Sequence, residues 1–354
     1  MRDVLEEWRP VIDEEIARIL PQKIDEAYLT DYFGSATYSY DVDAIRVALA
    51  DPIWDLLDRG GKRWRAIVFL LLVDAFGEDP EEYLPYACIP EILHNGTIIV
   101  DDVEDGAEKR RGERALHLVH GTDIALNAGN AMYFLPLKII TRNPGGLSTR
   151  QQLDAFEMLT HELNRTHLGQ GMDIRWHNQR GIAIDEREYF EMCACKTGCL
   201  GRIVARLAAI VTDQPDAVER KVAEYAELMS VAFQIGDDIL DIEHTLDRAG
   251  DFGKAFGNDI REGKKTLMII HAADSAPDDD VARLEAILNA DENTEEEILE
   301  AIDILQSTDS IEYAREWAAD LAAEARGCLD GLDLDPERAD QLKTFTRFVV
   351  DRQS

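Results

Sequence analysis

Glu91-Ile92-Leu93-His94-Asn95-Gly96-Thr97-Ile98-Ile99-Val100-Asp101-Asp102-Val103-Glu104-Asp105 runs from an apolar stretch straight into a knot of carboxylates. A second stretch repeats the arrangement: Met229-Ser230-Val231-Ala232-Phe233-Gln234-Ile235-Gly236 leads into Asp237-Asp238-Ile239-Leu240-Asp241. Apolar residues at three- and four-residue spacing predict helix through both. Residues four apart on a helix share a face, so Asp101 stacks with Asp105 and Asp237 with Asp241. Carboxylates on one face repel each other unless cations sit between them. Hard oxygen donors that leave coordination positions to water and phosphate suit Mg²⁺. A single acidic pair in an acidic chain is ordinary solvated surface. Two copies, each closing an apolar helix, predict clusters that face each other across a cavity and hold one polyphosphate through shared metals.

Working outward, the rest of the chain reads as helix. Apolar residues recur at helical spacing over 43–57, 64–76, 148–167, 186–211, 217–241 and 294–306, and Asn143-Pro144-Gly145-Gly146, Thr212-Asp213-Gln214-Pro215 and Ala276-Pro277 punctuate them. No alternating β-branched run points to a sheet. No low-complexity linker divides the 354 residues and no solenoid period repeats. The expectation is one all-α domain over 1–354, a large helical bundle around a central active-site cavity. Its motif-bearing core covers about 45–350, and 1–44 form a helical N-terminal extension.

Composition bounds the setting. The formal charge is −34, from 71 Asp+Glu against 37 Lys+Arg, and only 10 of those cations are lysines. That balance argues against nucleic acid and anionic membranes as partners. It predicts adaptation to high salt, where screening makes the charge tolerable, and hence a halophilic source. Four of the scarce lysines, Lys62, Lys196, Lys254 and Lys264, fall within the motifs below. Where an acidic protein concentrates cations, an anionic ligand is expected. Of five cysteines, Cys193, Cys195 and Cys199 share one helical segment with no matching His or Cys pair, so core thiols are the expectation. An acidic start, Met1-Arg2-Asp3-Val4-Leu5-Glu6-Glu7, and the lack of a membrane-length apolar run predict a soluble cytoplasmic protein.

Around the two clusters stand further groups in fixed order. Gly60-Gly61-Lys62-Arg63-Trp64-Arg65 and His94 precede the first; Arg110-Arg111-Gly112 follows it. Gly169-Gln170-Gly171-Met172-Asp173, Lys196-Thr197-Gly198 and Phe233-Gln234 precede the second; Gly253-Lys254, Gly257-Asn258-Asp259 and Glu262-Gly263-Lys264-Lys265-Thr266 follow it. In this order and spacing the chain resembles the trans-isoprenyl diphosphate synthases (polyprenyl synthetases), from about residue 45 to the C-terminus. Two positions depart from the family's usual pattern: Ala66 and Arg114 stand where prolines are common.

The resemblance implies a chain-elongating prenyltransferase. An allylic diphosphate ionises, its carbocation alkylates isopentenyl diphosphate, and a proton is lost to the released diphosphate. It implies Asp101, Asp102, Asp105, Asp237, Asp238, Asp241 and Lys196 as catalytic, with Asp101, Asp102, Asp105, Asp237 and Asp241 holding about three Mg²⁺ and Mn²⁺ able to substitute. Arg110, Lys196, Thr197, Gln234 and Lys254 are implied on the allylic diphosphate. Lys62, Arg65, His94 and Arg111 are implied on isopentenyl diphosphate, and Lys264 at a substrate-covering stretch. A homodimer is implied as well.

Product length in this family depends on what blocks an apolar tunnel below the first cluster. Thr97 and Gly96, four and five residues before Asp101, are small where fifteen-carbon enzymes usually carry an aromatic. Tyr133 and Phe134 stand where one geranylgeranyl-type branch closes its pocket. A twenty-carbon product is the expectation, with twenty-five or more carbons as the alternative. A class I terpene cyclase would lack the Gly-Gly-Lys-Arg group, and a non-catalytic synthase subunit would lack one aspartate cluster; both features are present.

Overall fold

The computed structural model describes residues 2–247, 257–290 and 292–350. As the spacing predicts, the chain is all-α. Among the described residues the only strands are Lys109–Arg110 and Glu113–Arg114. None of the described helices is long and apolar enough to cross a membrane. The helices gather into two compact units.

The unit comprising residues 2–70 and 79–156 is built around Leu84–Glu104, the helix that carries the first aspartates. This helix is apolar on nearly all sides and is correspondingly buried from Tyr86 through Leu93. Thr122–Phe134 crosses it at close range. A Cβ on Gly96 would lie 2.7 Å from Cβ of Met132, and one on Gly129 would lie 2.8 Å from Cγ2 of Val100. Arg2–Ile19 packs on the same central helix and buries Ile12 and Ile16. Val42–Ile45, the wide π turn Arg46–Ala50 and Asp51–Asp58 form one continuous rod. It stops at Gly60 and Gly61, whose φ angles of 96° and 132° suit glycine. The next helix, Trp64–Ala75, begins against the buried Glu91. Its Oε1 accepts from the N–H groups of Arg65 at 3.0 Å and Ala66 at 3.3 Å, satisfying two orphan donors at a positive helix end.

The other unit comprises residues 71–78 and everything described from 157 on. Its axis is Asp216–Asp247, packed against Cys199–Val211 and Ser310–Cys328. The latter presents Ala314, Ala318, Ala322 and Ala325 as a flat buried stripe. Ile235, Ile239 and Ile242 join Leu267, Ile269, Ile298 and Ile302 in its apolar core. Two helices outrun the sequence expectation: Thr149–His177 extends past Gly169, and Asp216–Asp247 past Asp241. Gly169 lies within this helix at a point where a neighbouring backbone occupies the space a Cβ would take.

Candidate active site

The first aspartate cluster divides in two. Asp101 and Asp105 lie one turn apart and are partly exposed, whereas Asp102 is buried. Nε of Arg110 donates to Oδ1 of Asp102 at 2.8 Å, with Nη2 also in contact. Burial pushes the Asp102 carboxyl up, and the Arg110 charge opposes that shift. Asp102, expected as a metal ligand, is turned inward by its place on the helix and bonds Arg110.

A group of cations surrounds Gly61. Arg110 and Arg111 lie on a short hairpin, Lys109–Arg110 paired with Glu113–Arg114. Its two-residue turn has φ 54° at Arg111 and 79° at Gly112, the primed geometry that favours tight hairpins. Nη1 of Arg59 donates to the carbonyls of Arg114 at 2.8 Å and Arg110 at 3.3 Å, tying the hairpin down. Arg111 donates to the carbonyls of Leu56 at 2.8 Å and Gly60 at 2.6 Å, and to Oδ1 of Asn95 at 2.9 Å. These carbonyls close the rod ending at Asp58, the negative end of a helix. Arg111, expected on a diphosphate, therefore has much of its donor capacity committed to the protein, and burial holds it down to about 10. The guanidinium of Arg65 stacks on Trp64 at 4.2 Å. Burial, followed by the charges of Arg65, Arg111, Arg110 and Arg63, holds His94 well below the usual imidazole range, so it stands as a neutral ring among arginines. Lys62 is exposed.

In the other unit, Lys196 and Thr197 sit on the π turn Ala194–Gly198 between Glu186–Cys193 and Cys199–Val211. Gly169 makes room for this turn: a Cβ there would lie 2.4 Å from the backbone nitrogen of Lys196. Nζ of Lys196 donates to Oδ2 of Asp173 at 2.5 Å. A chain of hydrogen bonds then runs to the second cluster. Oγ1 of Thr197 donates to Oε1 of Gln234 at 2.9 Å, and Nε2 of Gln234 donates to Oδ1 of Asp238 at 2.9 Å. Tyr189 donates to the other oxygen of Asp238 at 3.1 Å. Asp241 is buried and accepts from the N–H of Asp259 at 3.1 Å. Asp238 and Asp241 are both buried in this network, and Asp237 is partly exposed. Nζ of Lys264 lies 2.7 Å from Glu262 and 3.4 Å from Asp259. Lys254 lies outside the described residues.

The chain-length positions differ in their surroundings. Gly96 opens onto no space, since Met132 and Gly129 occupy its face. Phe134 is 68% exposed, so it closes no pocket within the chain, whereas Tyr133 is buried. Neighbours on a helix point about 100° apart, and only one of this pair turns inward. After burial, the charges of Glu104 and Asp101 raise the Tyr133 hydroxyl further. Thr97 is partly buried, its hydroxyl donating to the His94 carbonyl at 2.8 Å.

Sequence reading passed over Glu91, Asn95, Arg59 and Tyr189. None carries a motif; a buried carboxylate or amide inside an apolar helix was the available signal. The three central cysteines are buried free thiols, as expected.

The donor chemistry fits a hard divalent cation. Among the described residues no three His, Cys, Asp or Glu side chains form a ligand cage. Mg²⁺ asks for none, since one or two carboxylates with waters and substrate phosphates are its usual shell. Asp101 with Asp105, and separately Asp237, supply such oxygens.

Residues 46–305 match the polyprenyl synthetase family. The chain is 35% identical over 260 residues to a short chain isoprenyl diphosphate synthase of Methanocaldococcus jannaschii, covering 73% of this chain and 76% of that one. It is 31% identical over 308 residues to a geranylgeranyl diphosphate synthase of Saccharolobus solfataricus, covering 86% and 90%. The crystal structure of geranylgeranyl pyrophosphate synthetase from Pyrococcus horikoshii aligns with a TM-score of 0.83 at 27% identity, over 99% of this chain and 97% of that one.

Proposed function

The chain belongs to the polyprenyl synthetase family and is a prenyltransferase, and on that premise we propose that it extends an allylic diphosphate with isopentenyl diphosphate to a twenty-carbon product. The observation that carries this reading is a cationic group in addition to the Lys196 turn: the charges of Arg65 and Arg111 bear on His94, and Arg111 donates to Asn95, the next residue on the same helix. An enzyme that only ionises one diphosphate has no need of a second cationic site. In this reading Lys62, Arg65, His94 and Arg111 take isopentenyl diphosphate, with neutral His94 serving as a hydrogen-bond partner. Arg110, Lys196, Thr197, Gln234 and Lys254 take the allylic diphosphate. Asp101, Asp105 and Asp237 are the carboxylates that would hold Mg²⁺, which supplies charge neutralisation for the leaving diphosphate when bound. Breaking the allylic C–O bond leaves the electron pair on that diphosphate, and Lys and Arg donors meet the charge as it develops. The new C–C bond forms from the isopentenyl double bond, and the proton it releases passes to the departed diphosphate.

Twenty carbons is supported by the geranylgeranyl-forming relatives and by Thr97 in place of an aromatic. Thr97→Phe is expected to shift the product toward fifteen carbons, because each added five-carbon unit is too bulky for the remaining gap and packed walls resist overfilling. Chromatography of dephosphorylated products from wild type and variant tests it; an unchanged distribution contradicts the assignment of Thr97. A homodimer is part of the same reading, supported by the exposed apolar side chains of Phe134 and Leu153.

A further inference from the structure

Asp13 lies on Arg2–Ile19, outside the 46–305 stretch that matches the family. Its Oδ1 accepts from Nε of Arg63 at 2.7 Å, across 50 positions of sequence. Arg63 follows Lys62 in the glycine-lysine-arginine group, yet its side chain is only 3% exposed. Nη1 and Nη2 donate to the carbonyls of Gly60 at 3.3 Å and Leu57 at 3.1 Å. Nη1 also fills the space of the missing Gly61 Cβ, at 2.8 Å, and Nη2 of Arg111 lies 3.5 Å from the same point. The buried guanidinium of Arg63 and the partly buried one of Arg111 therefore flank Gly61, and the backbone of Arg63 takes a left-handed φ of 51°. Such a conformation persists only where its surroundings hold it. Among the acceptors of Arg63, Asp13 alone carries a full charge, which offsets the like charges beside Gly61.

We propose that Asp13 is a positioning residue for isopentenyl diphosphate binding: through Arg63 it fixes the loop that presents the exposed Lys62. The proposal rests on the reading that Lys62 and its neighbours take isopentenyl diphosphate. Arg63 is too buried to serve as a contact residue itself, so its role is to hold the loop conformation. Asp13 is partly exposed on a helix surface, and an isosteric amide there leaves the core intact.

Steady-state kinetics on the full chain test this. Asp13→Asn is expected to raise KM for isopentenyl diphosphate about tenfold, the scale of one lost charge-assisted hydrogen bond, with kcat and the allylic KM nearly unchanged. Asp13→Glu should recover most of the loss. In an Arg63→Gln background, Asp13→Asn should add nothing further. Lys62→Ala is the control: if it leaves the isopentenyl KM unchanged, the loop assignment falls and the proposal with it. If Lys62→Ala raises that KM and Asp13→Asn does not, the proposal alone is overturned. An equal rise in both KM values with a matching drop in Tm marks a plainly structural role and also overturns it.

Discussion

Asp237→Ala is expected to lower turnover at least about 100-fold while the chain stays folded, and Asp101→Ala to do the same. Both carboxylates are partly exposed. Each supplies a hard oxygen where negative charge must be met as the allylic C–O bond breaks. Interactions made mainly in the transition state appear in kcat, so the loss should fall there rather than in KM. The neighbours should behave differently. Asp102→Asn acts through Arg110, and Asp238→Asn through Gln234 and Tyr189, so their effects should include lost stability. Steady-state kinetics with melting curves separate the two classes. Near-normal turnover in Asp237→Ala would remove that residue from the site.

Gly169→Ala is expected to damage the protein more than its single methyl group suggests. The added Cβ would lie 2.4 Å from the backbone nitrogen of Lys196 and 2.8 Å from the carbonyl carbon of Cys195. Backbone cannot swing aside as a side-chain tip can, so the π turn or the helix must move. Overpacking of this kind costs about 1–3 kcal/mol. Because the displaced atom belongs to Lys196, the Lys196–Asp173 pair and the Thr197–Gln234–Asp238 chain should shift with it. A lower Tm together with a fall in kcat is the expected result. Gly171→Ala serves as the comparison, since nothing lies within 4 Å of its Cβ position. Equal effects in the two variants would show that the close crossing does not govern the Lys196 turn.

The sequence disclosed most where one periodicity carried the whole signal. Helical spacing marked the main rods, and the proline- and glycine-bearing breaks separated them as expected. What it concealed was which side of a helix each acid faces. Asp101 and Asp102 are adjacent letters, but a 100° turn leaves one partly exposed and buries the other on Arg110. The same turn separates buried Tyr133 from exposed Phe134. Gly96 misled for another reason: a small residue can leave space or let a second helix come close, and Gly129 completes the latter arrangement. The hairpin of Arg110 and Arg111 was illegible because its turn, Arg111-Gly112, places an arginine in a left-handed conformation. Tertiary bonds to the carbonyls of Leu56 and Gly60 hold it there. Long-range partners such as Glu91 for the Trp64 helix carry no local pattern at all.

The central claim is metal-dependent condensation of two diphosphates. Its most direct test is incubation of the full chain, in high salt, with dimethylallyl diphosphate and labelled isopentenyl diphosphate, with Mg²⁺ or with chelator. Label should appear in a chain-extended prenyl diphosphate when Mg²⁺ is present, disappear with chelator, and return on adding Mg²⁺ or Mn²⁺. Condensation that continues unchanged in chelator, or Mg²⁺ incubations that leave the isopentenyl label unincorporated while the allylic diphosphate is consumed, would contradict the account.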